Sequence, residues 1–461
     1  MQIEQIYTGC LAQGAYYVVS GNEAVIIDPL REIKPYLDRA ARDGVKIKYI
    51  FETHFHADFV SGHIDLAKAT GATIVYGPTA TPAFDAHVAT NLEVFKLGAI
   101  SFQLLHTPGH TMESSCFLLR NEQGVPTAVF TGDTLFIGDV GRPDLAQKAA
   151  NMTQEELAGL LFDSLRTKIM RLPDSVIVYP AHGAGSACGK NMSKETVSDI
   201  GKQKQFNYAL RENMSREEFI NEVTDGLLPP PAYFPMNVAM NKLGYDSIDD
   251  VMQRGLVALS PGDFEAAANS TGALVLDTRG HDSFVKGFIP NSINIGIDGT
   301  FAPWVGALIP DVKQQLLLVA EPGREEEAVT RLARVGYDHV IGYLDGGMES
   351  WLSTGRQKDT VISVTAKEFA TLHASDKQLK IVDIRRHNEF EKGHLADATN
   401  LPLDYISDHM AEFPKEGTFY VHCAGGYRSV IASSILKARG FDNVVNVEGG
   451  YAAIKHAHVP A

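Results

Sequence analysis

Thr53-His54-Phe55-His56-Ala57-Asp58-Phe59 decides how the first half of the chain is read. Two histidines two residues apart and an aspartate two further on stand in a loop, directly after a strand-like run over 46–53. Three distant segments offer partners: His110 in Thr107-Pro108-Gly109-His110-Thr111, Asp133 in Thr131-Gly132-Asp133-Thr134, and His182 in Tyr179-Pro180-Ala181-His182-Gly183. Each follows a strand-like run, and loops at strand ends can gather such groups around one ion. Imidazole and carboxylate are ligands that zinc and non-haem iron accept. His63 and His87 read as structural or surface residues, and His106 is left unassigned.

Outward from this loop, strand and helix patterns alternate. Runs at 15–20 and 23–28 flank the turn Gly21-Asn22. Helical spacing over 61–70 stops at Gly71. Further strands are expected at 72–76, 101–105, 127–131 and 175–179. The alternation predicts a layered α/β architecture. A polar, helix-forming stretch over 193–224 leads to Pro229-Pro230-Pro231 and Pro235, where the first domain is expected to end, with a connector reaching about 255.

The second half repeats itself. Leu274-Val275-Leu276-Asp277-Thr278-Arg279 matches Ile381-Val382-Asp383-Ile384-Arg385 when Asp277 is laid on Asp383, and Phe284, Gly287 and Asn294 then meet Phe390, Gly393 and Asn400. Asp345-Gly346-Gly347 likewise matches Glu448-Gly449-Gly450. The period is that of a domain, so two homologous α/β domains are expected, over 258–357 and 363–461, after a first domain over 1–245. In the last copy a strand over 418–421 runs into His422-Cys423-Ala424-Gly425-Gly426-Tyr427-Arg428-Ser429, with a helix expected from Ser429. A cysteine between a strand end and a helix start sits in positive potential, and the two glycines let backbone amides turn inward around an anion. The middle copy has Glu321 where Cys423 is expected, in Ala320-Glu321-Pro322-Gly323-Arg324, and so reads as unable to carry sulfur.

Composition bounds the rest. The chain has 461 residues, 44% hydrophobic and 21% charged, which excludes a largely disordered protein and suggests about three domains. With 41 Lys+Arg against 56 Asp+Glu, the net charge of −15 argues against nucleic-acid binding. Four scattered cysteines, Cys10, Cys116, Cys188 and Cys423, read as free thiols in a reducing compartment. The first residues show no signal-peptide pattern, and no apolar run is long enough to span a membrane, so a cytoplasmic protein without membrane contact is expected.

The histidine motifs resemble the metallo-β-lactamase superfamily, which implies an αββα sandwich. Dinuclear hydrolases of that superfamily, such as glyoxalase II, read His-x-His-x-Asp-His, whereas Phe59 follows Asp58 here. A phenyl ring cannot bind a metal. The pattern that remains is similar to the persulfide dioxygenases. That resemblance implies one Fe2+ held by His54, His110 and Asp133, with His56, Asp58 and His182 orienting ligands and water, or coordinating directly as in zinc hydrolases. It also implies that Arg142, in Gly141-Arg142-Pro143-Asp144, holds a substrate carboxylate. The Asp-Tyr pair that follows the last histidine in glutathione-type enzymes is missing. Gly183-Ala184-Gly185-Ser186-Ala187-Cys188-Gly189-Lys190 stands there, where Cys188 is expected to meet substrate and Lys190 to lower its pKa.

The Cys-x4-Arg loop, with Asp383, Phe390, Gly393-His394-Leu395 and Glu448-Gly449-Gly450 around it, resembles the rhodaneses. This implies that Cys423 becomes a persulfide, with Gly425, Gly426 and Arg428 stabilising the charge. The whole chain resembles persulfide dioxygenase–rhodanese fusions. The implied chemistry takes a low-molecular-weight thiol persulfide and O2 to sulfite and thiol, and forms or consumes thiosulfate at Cys423, detoxifying sulfide-derived sulfur. The superfamily implies a homo-oligomer, dimer or tetramer. The alternative is a zinc thioester hydrolase of the glyoxalase II type fused to a sulfur carrier.

Overall fold

In the computed structural model, residues 1–227, 229–376 and 378–457 are described, so positions 458–461 of the domain expected over 363–461 lie outside them. The chain divides into two compact units, residues 1–248 with 333–336, and residues 249–332 with the remainder. Among the described residues, no helix is long and apolar enough to cross a membrane.

The first unit is built on two six-stranded sheets. One runs in chain order, from Gln2–Thr8 through Gln13–Ser20, Glu23–Ile27, Lys46–Phe51 and Thr73–Tyr76 to His87–Val88. The other runs Ser198–Asp199, Ile177–Pro180, Pro126–Gly132, Ser115–Arg120, Ile100–His106, Val94–Leu97. Alternation along the strands sends side chains to both faces. Tyr16, Val18, Val25, Ile27 and Phe51 pack against Phe102, Leu104, Phe117 and Phe130 between the sheets. Their neighbours Ala15, Tyr17 and Ile26 pack outward with Tyr36 and Leu66, from the helices Lys34–Asp43 and His63–Thr70. On the far side, Leu118, Val129 and Val178 meet Leu161 of the helix Gln154–Ser164 and Phe219 of the helix Arg216–Thr224. The result is four layers, αββα, with strands buried on both faces.

The structure refines local expectations in three places. The stretch over 193–224 is not one helix: Ile200–Phe206 ends at Asn207, whose side chain donates to the Phe136 and Asp139 carbonyls, and a new helix starts at the Ser215 capping box. The proline-rich segment leads into a connector built of two helices, Phe234–Leu243 and Ile248–Gly255; Pro235 stands in a first turn, where its missing N–H costs nothing. The helix expected from Ser429 begins at Tyr427.

The second unit contains two five-stranded parallel sheets of the same strand order. One runs Ala258–Leu259, Val340–Leu344, Leu316–Val319, Leu274–Asp277, Ile293–Asn294. Its counterpart runs Ile362–Val364, Val444–Val447, Phe419–His422, Lys380–Asp383, Ala398–Asn400. In both, the central strand is the one that leads into the loop at issue, 320–324 or 423–428.

Candidate metal centre and cysteine loop

Four loops at strand ends meet in the first unit. His54 follows Lys46–Phe51, His110 follows Ile100–His106, Asp133 follows Pro126–Gly132, and His182 follows Ile177–Pro180. All four are buried. The Nε2 atoms of His54 and His110 lie 3.8 and 3.5 Å from the same oxygen, Asp133 Oδ2. That oxygen is buried and accepts no hydrogen bond. The other ring nitrogens are turned to the protein. His110 Nδ1 is 2.9 Å from the Arg142 carbonyl and His54 Nδ1 is 3.0 Å from Thr53 Oγ1. Gly141 makes the first contact feasible, because a Cβ there would fall 2.9 Å from His110 Nδ1 and 2.1 Å from the Asp133 carbonyl oxygen.

His182 completes the frame. Its Nδ1 bonds Asp133 Oδ1 at 2.8 Å, leaving Oδ2 to face His54 and His110, and its Nε2 lies 2.8 Å from Asp58 Oδ2. Burial opposes a charge on this ring, but the carboxylates of Asp133 and Asp58 overcome it and hold the imidazolium well above the ordinary histidine range. Burial likewise acts to raise Asp133, and His182, His54 and His110 together hold it far below the usual carboxylate range. Burial, with His56 beside it, pushes His54 down. A neutral imidazole and an ionised carboxylate are the states that bind a divalent metal. The ligand atoms of His54, His110 and Asp133 all lie within 4.8 Å of one another, so this set fits such an ion. His56, Asp58 and His182 form a second set meeting the same limit. Phe59 is fully buried against it, its ring 4.3 Å from that of His56.

One contributor was not foreseen from the sequence. Asp28, at the end of Glu23–Ile27, accepts from the Thr53 amide at 2.8 Å and the Thr53 hydroxyl at 2.9 Å, fixing the start of the histidine loop. Its φ of +49° is the local signal, an unusual angle for a residue with a side chain. Asp28 Oδ1 also lies 3.1 Å from His56 Nε2. His63 lies behind, against Tyr76, Phe84 and Tyr245, where burial pushes it down to about 3.

Of the residues expected at the substrate, Arg142 and Lys190 have partners within the protein. The Arg142 fork is engaged by Asp144, with Nε–Oδ1 and Nη2–Oδ2 both 2.7 Å, so a substrate carboxylate would have to displace that partner. Lys190 Nζ donates to the carbonyls of Glu222 and Asp225 at 2.8 and 2.5 Å, at the end of Arg216–Thr224, and does not activate Cys188. Burial, with Asp58 and Asp133 nearby, pushes the Cys188 thiol well up. Cys188 itself does reach the centre: its sulfur lies within 4.8 Å of ligand atoms of Asp133 and His182.

In the second unit Cys423 is buried at the end of Phe419–His422. Gly426, with φ of +106°, turns its amide to Cys423 Sγ at 3.1 Å. Ser429 Oγ is 3.7 Å from the sulfur. Gly425 is exposed at the crest of the loop. Arg428 does not stand free over the loop. Its Nη1 and Nη2 bond the carboxylate of Glu389 at 2.7 and 2.8 Å, a partner the sequence reading missed. The middle copy is corrected by one residue. Asp277 pairs across its sheet with Val319, and Asp383 with His422, so Ala320, not Glu321, occupies the place of Cys423. Glu321 then matches Ala424, Pro322 matches Gly425, and Glu325 stands where Arg428 does. A methyl group carries no sulfur, so the middle loop still lacks a nucleophile.

Residues 8–182 match the metallo-β-lactamase superfamily, and residues 260–354 and 365–457 each match the rhodanese-like domain. The persulfide dioxygenase ETHE1, mitochondrial, of Mus musculus is 30% identical over 227 residues, 48% of this chain and 78% of that protein. A hydroxyacylglutathione hydrolase of Tolumonas auensis is 33% identical over 171 residues, 36% of this chain and 60% of that protein. A crystal structure of a metallo-β-lactamase from Staphylococcus aureus subsp. aureus COL is 32% identical, with a TM-score of 0.65 over 75% of this chain and 98% of that one. The chain belongs to the metallo-β-lactamase superfamily, in a form that continues into two rhodanese-like domains.

Proposed function

We propose that the first domain, over 1–245, is an iron(II) persulfide dioxygenase and that the last, over 363–461, is a rhodanese acting on the same sulfur pool, with a thiol-less rhodanese-like domain over 258–357 between them. The reaction is R–SSH + O2 + H2O giving R–SH and sulfurous acid, which ionises to sulfite. His54, His110 and Asp133 would hold the metal. When bound, the iron would supply open positions where a sulfur ligand and O2 can be held side by side. The protein's part is orientation. Thr53 and the Arg142 carbonyl turn the two imidazoles, and His182 fixes the carboxylate of Asp133. Cys188 stands beside them as a neutral thiol. At Cys423, the thiolate attacks the outer sulfur of thiosulfate, the S–S bond breaks and sulfite leaves, giving Cys423–S–S−; the reverse reaction makes thiosulfate. The Gly426 amide points at the sulfur that bears the charge.

The observation that carries this reading is the division of labour among the histidines. Two converge on one oxygen of Asp133, a third is taken up between two carboxylates, and the Phe59 ring, which offers no ligand atom, packs against His56. Zinc-dependent thioester hydrolysis, as in hydroxyacylglutathione hydrolases, is the second reading. It is favoured by the closeness of His56, Asp58 and His182. Oxygen uptake by anaerobically iron-loaded protein given a synthetic persulfide tests the two, with sulfite and thiosulfate assayed together. Uptake that disappears in His110→Ala supports the dioxygenase. No uptake with iron bound, and thioester cleavage after zinc loading, would replace it with the hydrolase.

A further inference from the structure

The middle rhodanese-like domain has no thiol in its loop, yet another of its loops lies against the cysteine loop of the last domain. The Tyr427 hydroxyl donates to the Gly296 carbonyl at 2.8 Å. The ring lies so close over Gly299 that a Cβ built there would be 2.4 Å from ring carbon Cζ; one at Gly296 would be 3.3 Å from Cε2. The ring of His281 stands edge-on, with centroids 6.2 Å apart. A glycine at 299 is what allows the tyrosine to be there.

The loop under Tyr427 is itself clamped. Arg324 bonds both oxygens of Asp298, Nη1–Oδ2 at 2.9 Å and Nη2–Oδ1 at 2.8 Å. Arg331 donates to the Ile297 carbonyl at 2.6 Å, and the Ile297 amide donates to Thr278 at 2.9 Å. Glu327 ties the two arginines together, at 2.9 Å from Arg324 and 2.6 Å from Arg331. The strand register that places Ala320 on Cys423 places Arg324 on Tyr427. The residue that ends the degenerate loop of one copy thus braces the seat for the residue that ends the active loop of the other.

Tyr427 stands between two residues that matter. Gly426 precedes it and presents its amide to Cys423 Sγ, and Arg428 follows it. It also opens the helix Tyr427–Ala438, so the seat of its ring sets where that helix begins. Burial beside Asp298 pushes the phenol up, which keeps it a hydrogen-bond donor.

We propose that the thiol-less middle domain is a working part of the Cys423 site, its Gly296–Gly299 loop forming a socket that seats Tyr427 and so positions the Gly426 amide on the cysteine sulfur. Tyr427 is a positioning residue, and Gly299 gives it room. The inference deepens the reading of Cys423 as the sulfur-bearing nucleophile and rests on it.

The test uses the full chain and two readouts. One is transfer of sulfane sulfur from thiosulfate to cyanide. The other is the pH midpoint of Cys423 alkylation by iodoacetamide, followed on the peptide that contains it by mass spectrometry. Gly299→Ala is expected to lower kcat/KM by about tenfold or more, on the scale of disturbing one amide donor at a reacting charge. It should also move the alkylation midpoint upward by about half a unit, because the thiolate loses a donor. Tyr427→Phe, which keeps the ring and loses one hydrogen bond, should lie between the two proteins. In a Tyr427→Ala background Gly299→Ala should do nothing further, since no ring remains to be struck. Unchanged kinetics and midpoint in Gly299→Ala, or losses that simply multiply in the double variant, would overturn the proposal. If Gly299→Ala fails to fold, Tyr427→Phe decides on the midpoint alone: an upward shift supports the socket and no shift overturns it. A wild-type protein that transfers no sulfur would sink the reading of Cys423 instead, while the midpoints still report on the socket.

Discussion

The two rhodanese-like copies repeat the same Asp–Arg–Asn contacts around one strand and part company in the loop that follows the central strand. Arg279 grips Asp277 at 2.6 Å, and Arg385 grips Asp383 at 2.6 Å. Arg279 then donates to the Gly287 carbonyl and Arg385 to that of Gly393, each at 2.9 Å. Asn294 bridges the carbonyls of Asp277 and Arg279, as Asn400 does those of Asp383 and Arg385. These bonds join the strand that carries the aspartate to its neighbours and close the turn after it. The loop itself keeps the turn, with Gly323 at φ +88° and Gly426 at +106°, while the thiol, the flexible glycine and the arginine of one copy become Ala320, Pro322 and Glu325 in the other. Chemistry and fold are therefore separable here at the level of single residues.

Four experiments strain that separation. Cys423→Ser should remove thiosulfate-to-cyanide transfer by about a thousandfold or more, as loss of a nucleophile does; its melting temperature should stay near that of the parent. Asp277→Ala and Asp383→Ala should each destabilise the second unit by about 3–5 kcal/mol in denaturant titrations, since each leaves a buried guanidinium unpaired. Asp383→Ala should also depress sulfur transfer per folded molecule strongly, and Asp277→Ala more weakly, through the Gly296–Gly299 loop that hangs on the Asp277–Arg279 turn. If Asp277→Ala were silent in stability, the two scaffolds would not be equivalent.

Glu389→Gln has a smaller expected effect. The pair with Arg428 is partly exposed, so about 0.5–1 kcal/mol is at stake. Arg428 holds the Glu389 carboxyl below its ordinary range, with burial acting the other way. A depressed carboxylate stabilises the fold above the unfolded-state pKa and loses that contribution as pH falls through its own lower value. The stability difference between Glu389→Gln and parent should thus be present at pH 7 and shrink below about pH 4. The smallest effect is expected from Ala320→Cys in a Cys423→Ser background. It restores a thiol, yet Pro322 and Glu325 still deny it the surroundings of Cys423, and sulfur transfer should stay at background. Appreciable activity would mean that the thiol alone separates the two copies.

The repeat of two α/β domains and the gathering of His54, His110, Asp133 and His182 were legible because each rests on local pattern: apolar runs, turn residues, and ligand types placed just after strands; the choice of His54, His110 and Asp133 among them came from the resemblance. Contacts between residues far apart in sequence were not. Asp28 on Thr53, Glu389 on Arg428 and Tyr427 on Gly299 leave no periodic trace, and only Asp28 carries a backbone sign. The one-residue error at Glu321 arose because a loop without its cysteine offers nothing to align on, whereas the hydrogen-bond ladder between strands does. The partners of Arg142 and Lys190 were hidden for a simpler reason. A cation's partner cannot be read from its neighbours in the chain, and here Asp144 and a helix end had already claimed them.

The contact between Tyr427 and Gly299 also constrains how this chain can change by descent. Any side chain at 299 strikes the ring, so position 299 can drift only after position 427 has become small. The order of those two steps is fixed, and a lineage that kept the tyrosine would be expected to keep the glycine. At that one position the two rhodanese-like copies are bound to change together.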